Sequence, residues 1–258
     1  MPFAQIAAGR IHYQLDGPAA APVVMLSNSL GATLSMWTSQ VAPLSRGFRV
    51  LRYDTRGHGL SAAPPGPYAI EDLGRDVVEL LDALKIQGTH FCGISMGGVI
   101  GLWLGIHAAS RMDRLVVCNS AARVGTIDAW NSRMAAVRGD GMQAVAPGLM
   151  ERWFTADFRA TNVAIVESVR QMVLQAPVDG YLACCAAVRD VDLREQVAEI
   201  KAPTLIISGA SDAVTPPAEG KFLAGNIPGA RYVELEAAHL SNVEAATKFN
   251  EAVLQFLS

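Results

Sequence analysis

The sequence predicts an α/β protein built on a mainly parallel sheet. Three observations carry that prediction: short apolar runs recur along the chain, apolar residues return at helical spacing between them, and strand signals stop over 123–197 before resuming. Strands buried on both faces read as unbroken apolar runs, and their alternation with helices is the grammar of crossover units.

In chain order, residues 10–15 (Arg-Ile-His-Tyr-Gln-Leu) alternate polar with apolar side chains, as a half-exposed strand does. Residues 22–26 (Pro-Val-Val-Met-Leu) form the first apolar run, and further runs at 48–53, 90–94, 114–118 and 204–208 are predicted as parallel strands. Ile70, Leu73, Val77, Leu80, Leu81 and Leu84 fall on one helical face. A second helix is expected over 96–107, and a last one turns Ala246, Phe249, Val253, Phe256 and Leu257 inward. Over 123–197 only helical periodicity remains, at 145–154, 163–174 and 180–188. That stretch is expected to be an all-helical lid inserted after the sixth strand, dividing the chain into a core of 1–122 and 198–258 and a lid of 123–197. An ordinary run of sheet-covering helices is the alternative.

A chain of 258 residues can bury a full hydrophobic core as one folding unit. Apolar residues make up 51% and charged residues 17%, which argues against disordered and fibrous classes. The 21 basic and 24 acidic residues leave a net charge of −3 with no run of Lys and Arg, so neither nucleic acid nor membrane is an expected partner. No apolar stretch approaches the roughly 18 residues of a membrane span, and Met1-Pro2-Phe3-Ala4-Gln5 is no basic lead into one, so a cytoplasmic protein is expected. None of Cys92, Cys118, Cys184 and Cys185 has metal-type spacing, and thiols at Cys92 and Cys118 suit a packed core in a reducing compartment. The composition leaves association of identical chains open.

The chemistry starts at Gly93-Ile94-Ser95-Met96-Gly97. A serine hydroxyl attacks at neutral pH only when a base takes its proton, and in G-x-S-x-G the glycines permit a sharp strand-to-helix turn that exposes the hydroxyl. Here an apolar run precedes Ser95 and a helical pattern follows it, which is the context the motif needs. Of the five histidines, His12, His58, His90 and His107 fit structural or surface positions. His239 follows the alternating run at 232–235 and precedes the last helix, where a base can be presented. The acid that orients it is Asp212, just beyond the apolar run 204–208; the competing reading makes Asp212 a turn residue capping the next helix.

With these residues the whole chain resembles the α/β-hydrolase superfamily, whose triads run nucleophile, acid, histidine along the chain. Asp54-Thr55-Arg56-Gly57-His58-Gly59-Leu60-Ser61 is similar to its structural D-x-R-G-x-G-x-S turn. The resemblance implies a mostly parallel eight-stranded sheet. Some members carry the acid after the preceding strand, where this chain has Cys118-Asn119-Ser120 and no carboxylate. Two N–H donors for the oxyanion are expected from Met96, at a helix N-terminus, and from Leu30, in the loop Ser27-Asn28-Ser29-Leu30-Gly31. Many relatives carry His-Gly at the positions of Asn28 and Ser29.

That loop with Met36-Trp37, the elbow through Gly98, and Asn119-Ser120-Ala121-Ala122-Arg123 resemble the 3-oxoadipate enol-lactonases of bacterial aromatic degradation. The resemblance implies hydrolysis of a small anionic lactone without metal or cofactor. A cation should then hold the substrate carboxylate, and Arg123, between sheet and lid, is the expected one, its alternative being a lid-anchoring surface residue. Trp130 and Trp153 are expected pocket walls, or else lid core. Two other activities remain open, a broad carboxylesterase or perhydrolase and a non-catalytic small-molecule receptor. Ser at position 95 argues against a haloalkane dehalogenase, whose elbow carries aspartate.

Overall fold

The computed structural model describes residues 2–258 and gathers eight strands into one sheet. They are β1 (Phe3–Ile6), β2 (Gly9–Asp16), β3 (Val23–Ser27), β4 (Arg49–Tyr53), β5 (Thr89–Ile94), β6 (Met112–Cys118), β7 (Thr204–Gly209) and β8 (Arg231–Leu235). Their order is β1-β2-β4-β3-β5-β6-β7-β8, antiparallel from β1 through the β2–β4 pair and parallel everywhere else. From β3 the chain steps out to β4 and then returns to the far side of β3 as β5. Loops after β3 and β5 therefore diverge at a switch point, which opens a crevice at the carboxyl ends of the strands.

The apolar runs fill the middle of this sheet. Val24, Met25 and Leu26 of β3, with Leu115, Val116, Val117 and Cys118 of β6, have no exposed surface. β1 corresponds to no run in the sequence analysis, because only Ala4 and Ile6 of its four residues are buried and so short an edge strand shows no periodicity.

Helices α1 (Thr38–Leu44), α2 (Ile70–Ala83) and α3 (Met96–His107) come before β6. The β6–β7 connection holds α4 (Ile127–Asp140), α5 (Ala146–Trp153), α6 (Ala156–Thr161), α7 (Val163–Leu174) and α8 (Val178–Asp190), and contains no strand. After β7 follow α9 (Pro217–Asn226), α10 (Ser241–Glu244) and α11 (Ala246–Leu257). α2 buries Ile70, Leu73, Val77, Leu80 and Leu81, the stripe seen in the sequence, and α3 lies on β3, β5 and β6. α4 escaped the sequence analysis because only Trp130, Met134 and Val137 of its 14 residues are buried, a stripe one side chain wide.

Candidate active site

β5 ends at Ile94 and α3 starts at Met96, so the reversal between strand and helix falls on Ser95, at φ 57° and ψ −118°. A side-chain-bearing residue seldom adopts positive φ unless its surroundings hold it there. Two hydrogen bonds do so: Ser95 N–H donates to Cys118 O at 3.0 Å, and Ser120 Oγ–H donates to Ser95 O at 2.8 Å. The flanking glycines are demanded by space. A Cβ on Gly93 would stand 2.1 Å from Gly97 O, and one on Gly97 would stand 2.2 Å from Ser27 O.

His239 lies in the loop after β8, with Nδ1 2.8 Å from Asp212 Oδ2 and both side chains buried. That contact commits Nδ1 and leaves Nε2 for the cavity that Ser95 also lines. Asp212 is unusually well served. Its Oδ1 accepts the N–H groups of Val214 (2.7 Å) and Thr215 (3.0 Å), while Oδ2 also accepts Thr215 Oγ1–H (2.8 Å) and Asn119 Nδ2–H (3.0 Å). Burial pushes this carboxyl up, but the His239 imidazole and the donors outweigh it and hold Asp212 below the usual carboxylate value. Asn119, at φ 42°, stands just after β6, and Ser241 Oγ–H donates to its Oδ1 at 2.5 Å. Its amide supports the carboxylate that stands one strand over.

The loop after β3 is fixed through its own side chains. Asn28 Nδ2–H donates to Tyr53 O at 2.8 Å, Asn28 Oδ1 accepts Trp37 Nε1–H at 2.9 Å, and Asn28 O accepts Gly97 N–H at 3.0 Å. Gly31 N–H donates to His58 Nε2 at 2.8 Å. Burial pushes the His58 imidazole down, which keeps it in the neutral form that can accept this bond. The N–H groups of Ser29, Gly31, Ser95 and Gly97 are thus all engaged within the protein. Leu30 and Met96 line the cavity beside Ser95, and their N–H groups find no acceptor among the described residues. Two free donors next to a nucleophile are what an oxyanion requires.

The cavity over Ser95 is bounded by Ser29, Leu30, Met96 and His239 below, and by Val124, Trp130, Arg133, Trp153 and Val188 above. Its volume is about 20 Å³, room for little more than a water molecule. Larger hollows, of about 660 Å³ beside Trp103 and His107 and about 620 Å³ beside the loop Pro64-Pro65-Gly66-Pro67, contain no nucleophile paired with a base. Trp153 sets its ring 6.4 Å from that of His239, and Trp130 anchors itself by donating from Nε1 to Val124 O at 2.7 Å.

The expected carboxylate partner needs correction. Arg123 does not line the cavity; its side chain is 40% exposed and stands 3.8 Å from Asp192, while the next residue, Val124, is the one that faces the cavity. The guanidinium at the cavity belongs to Arg133, which α4 turns inward on the same face as Trp130 and Val137. It lies over the rings of Trp130 and Tyr181, at 5.1 and 5.5 Å, and its Nε is buried without a partner. The Tyr181 hydroxyl is likewise buried and unpartnered, and burial pushes its phenol up so that it stays protonated. Arg133, Val124, Val188 and Val214 at the cavity carry no motif in the sequence; the i, i+3 spacing from Trp130 is the one pointer to Arg133.

A serine at a strained elbow, a buried carboxylate–imidazole pair and two uncommitted N–H groups can carry out nucleophilic acyl transfer. Residues 22–246 match the family model described as the alpha/beta hydrolase fold, and the chain belongs to that family and is a hydrolase. It is 44% identical over 243 residues to 3-oxoadipate enol-lactonase 2 of Acinetobacter baylyi, with 94% of this chain and 91% of that one covered. The enol-lactonase structure from Burkholderia xenovorans LB400 matches with a TM-score of 0.98 at 47% identity, over 99% of each chain. A thermophilic esterase from Thermogutta terrifontis matches with a TM-score of 0.93 at 26% identity, over 99% of this chain and 97% of the other. Among the described residues no helix is long and apolar enough to cross a membrane, and no group of His, Cys, Asp and Glu could hold a metal ion.

Proposed function

We propose that this hydrolase opens 3-oxoadipate enol-lactone to 3-oxoadipate, in bacterial aromatic catabolism by the β-ketoadipate route. The observation that carries this reading is the Arg133 guanidinium on an otherwise apolar lid wall facing Ser95 and His239, as a small lactone with a free carboxylate requires. The two enol-lactonases similar along nearly the whole chain support it.

In this reading Ser95 Oγ attacks the lactone carbonyl while His239 Nε2 takes the hydroxyl proton, with Asp212 stabilising the imidazolium. The N–H groups of Leu30 and Met96 hold the oxyanion. The ring C–O bond then breaks, and its leaving group is an enolate that takes the proton from the His239 imidazolium and ends as a ketone, which leaves His239 neutral. His239 next deprotonates water, which attacks the acyl-enzyme and releases the second carboxylate with Ser95 restored. Arg133 binds the substrate carboxylate, and Trp130 and Trp153 exclude solvent from the reacting carbonyl. The four free, buried cysteines suit action in the reducing cytoplasm.

The test follows the ultraviolet absorbance of the enol-lactone with wild type and Ser95→Ala. Decay with wild type alone is expected. No decay with wild type, alongside rapid hydrolysis of p-nitrophenyl acetate, would replace the lactonase reading with that of a broad esterase.

A further inference from the structure

We propose that Glu244 is a positioning residue that seats His239 and binds one lid segment to it, so that this segment stays with the base while the lid opens elsewhere. Glu244 closes α10, the short helix after His239. Its Oε2 accepts Ala238 N–H at 2.8 Å. Its Oε1 accepts Thr155 N–H at 3.1 Å, and the Thr155 hydroxyl donates to the same oxygen. On the other side of the histidine, Leu240 N–H donates to Trp153 O at 3.1 Å.

Both chain neighbours of His239 are therefore tied to residues 153–155 of the lid, one through the Glu244 carboxylate and one directly. Trp153, whose ring faces the His239 imidazole at 6.4 Å, lies in the same stitched segment. Hydrogen bonds to an ionised acceptor are about twice as strong as neutral ones, so the carboxylate is the firmer of the two ties. The cavity of about 20 Å³ has no room for an organic substrate, and some part of the lid must move to admit one. If the moving part were 153–155, each opening would release Ala238 and Leu240 and unseat the base between them. Glu244 prevents this by making the segment part of the fixed site.

The inference rests on the reading of Ser95, His239 and Asp212 as the catalytic groups. Its test uses a small neutral substrate, p-nitrophenyl acetate, with active sites counted by fluorophosphonate labelling and amide exchange followed at residues 153–155 and 238–240. Glu244→Ala is expected to lower kcat about 10- to 100-fold with little change in KM, as misplacement of a catalytic group does. Exchange at Thr155, Ala238 and Leu240 is expected to rise together by about tenfold or more. Glu244→Gln, which keeps one acceptor oxygen, should fall between, and Thr155→Val should shift both readouts the same way by less. Should Glu244→Ala fail to fold, these two variants carry the test. Wild-type kcat per labelled site in the variants, or faster exchange at Thr155 without Ala238 and Leu240, would overturn the proposal alone. A wild type that releases no p-nitrophenol and takes no label would overturn the catalytic reading as well.

Discussion

The two walls of the cavity are built on opposite principles. On the sheet wall the polar side chains bond within the protein and only the Leu30 and Met96 N–H groups stay uncommitted: Asp212 gathers His239, Asn119, Val214 and Thr215, and Asn28 locks the loop that presents Leu30. On the opposite wall Arg133 Nε is buried without a partner. An unpaired buried polar group costs about 1–3 kcal/mol, a cost that a ligand can remove by completing the bond. In the proposed reading the sheet wall is the preorganised one, and the opposite wall is the one that a substrate carboxylate would complete.

The largest effect should come from the sheet wall. Asp212→Asn is expected to cut kcat by about 10⁴-fold while leaving KM near wild type, since the amide turns the imidazole toward the wrong tautomer. Steady-state rates on the enol-lactone check it. Next comes the lid wall: Arg133→Ala should raise KM for the anionic lactone by about 10- to 100-fold, the worth of a charge-assisted bond, and leave that for a neutral ester of similar size unchanged. Equal losses on both substrates would erase the distinction between the walls.

Two groups on the sheet side contribute to the loss of stability in acid, alongside His90, whose imidazole is also pushed down by burial. His58 is held below its ordinary value of 6.5, so its contribution is full above that pH and is lost as pH falls through the lowered folded value. Asp212 is held below 3.8, so its contribution is full above that pH and is lost at still lower pH. Urea unfolding across this range should trace the loss, and His58→Gln, whose oxygen can still accept Gly31 N–H, should remove the His58 share of it and leave that of His90. The smallest effect belongs to Arg123, outside both walls. Arg123→Ala should change stability by no more than about 0.5 kcal/mol and KM for the lactone by less than about twofold.

The same division explains what could be read from the chain. Ser95, Asp212 and His239 are legible because each lies in the loop just beyond a strand, and a strand's apolar run is a local feature that fixes where its loop begins. The choice between Arg123 and Arg133 is of another kind. Both are arginines near the same junction, and only the facing of α4, a helix with a thin apolar stripe, decides which reaches the cavity. Asn119, His58 and Glu244 are harder still, since their partners stand 93, 27 and 89 residues away and no periodicity records such contacts. Asn119 is visible in sequence as a missing carboxylate, yet its bond to Asp212 is visible only in three dimensions.

In the proposed function Ser95 becomes acylated by the lactone between these two walls. Acid quenching during turnover, followed by peptide mass spectrometry, tests it most directly. A 3-oxoadipyl adduct on Ser95 is expected in the first milliseconds of wild type, and it should be absent from Ser95→Ala and strongly reduced in His239→Ala, which lacks the base that acylation needs. An adduct on another residue, or lactone hydrolysis that persists in Ser95→Ala, would contradict it.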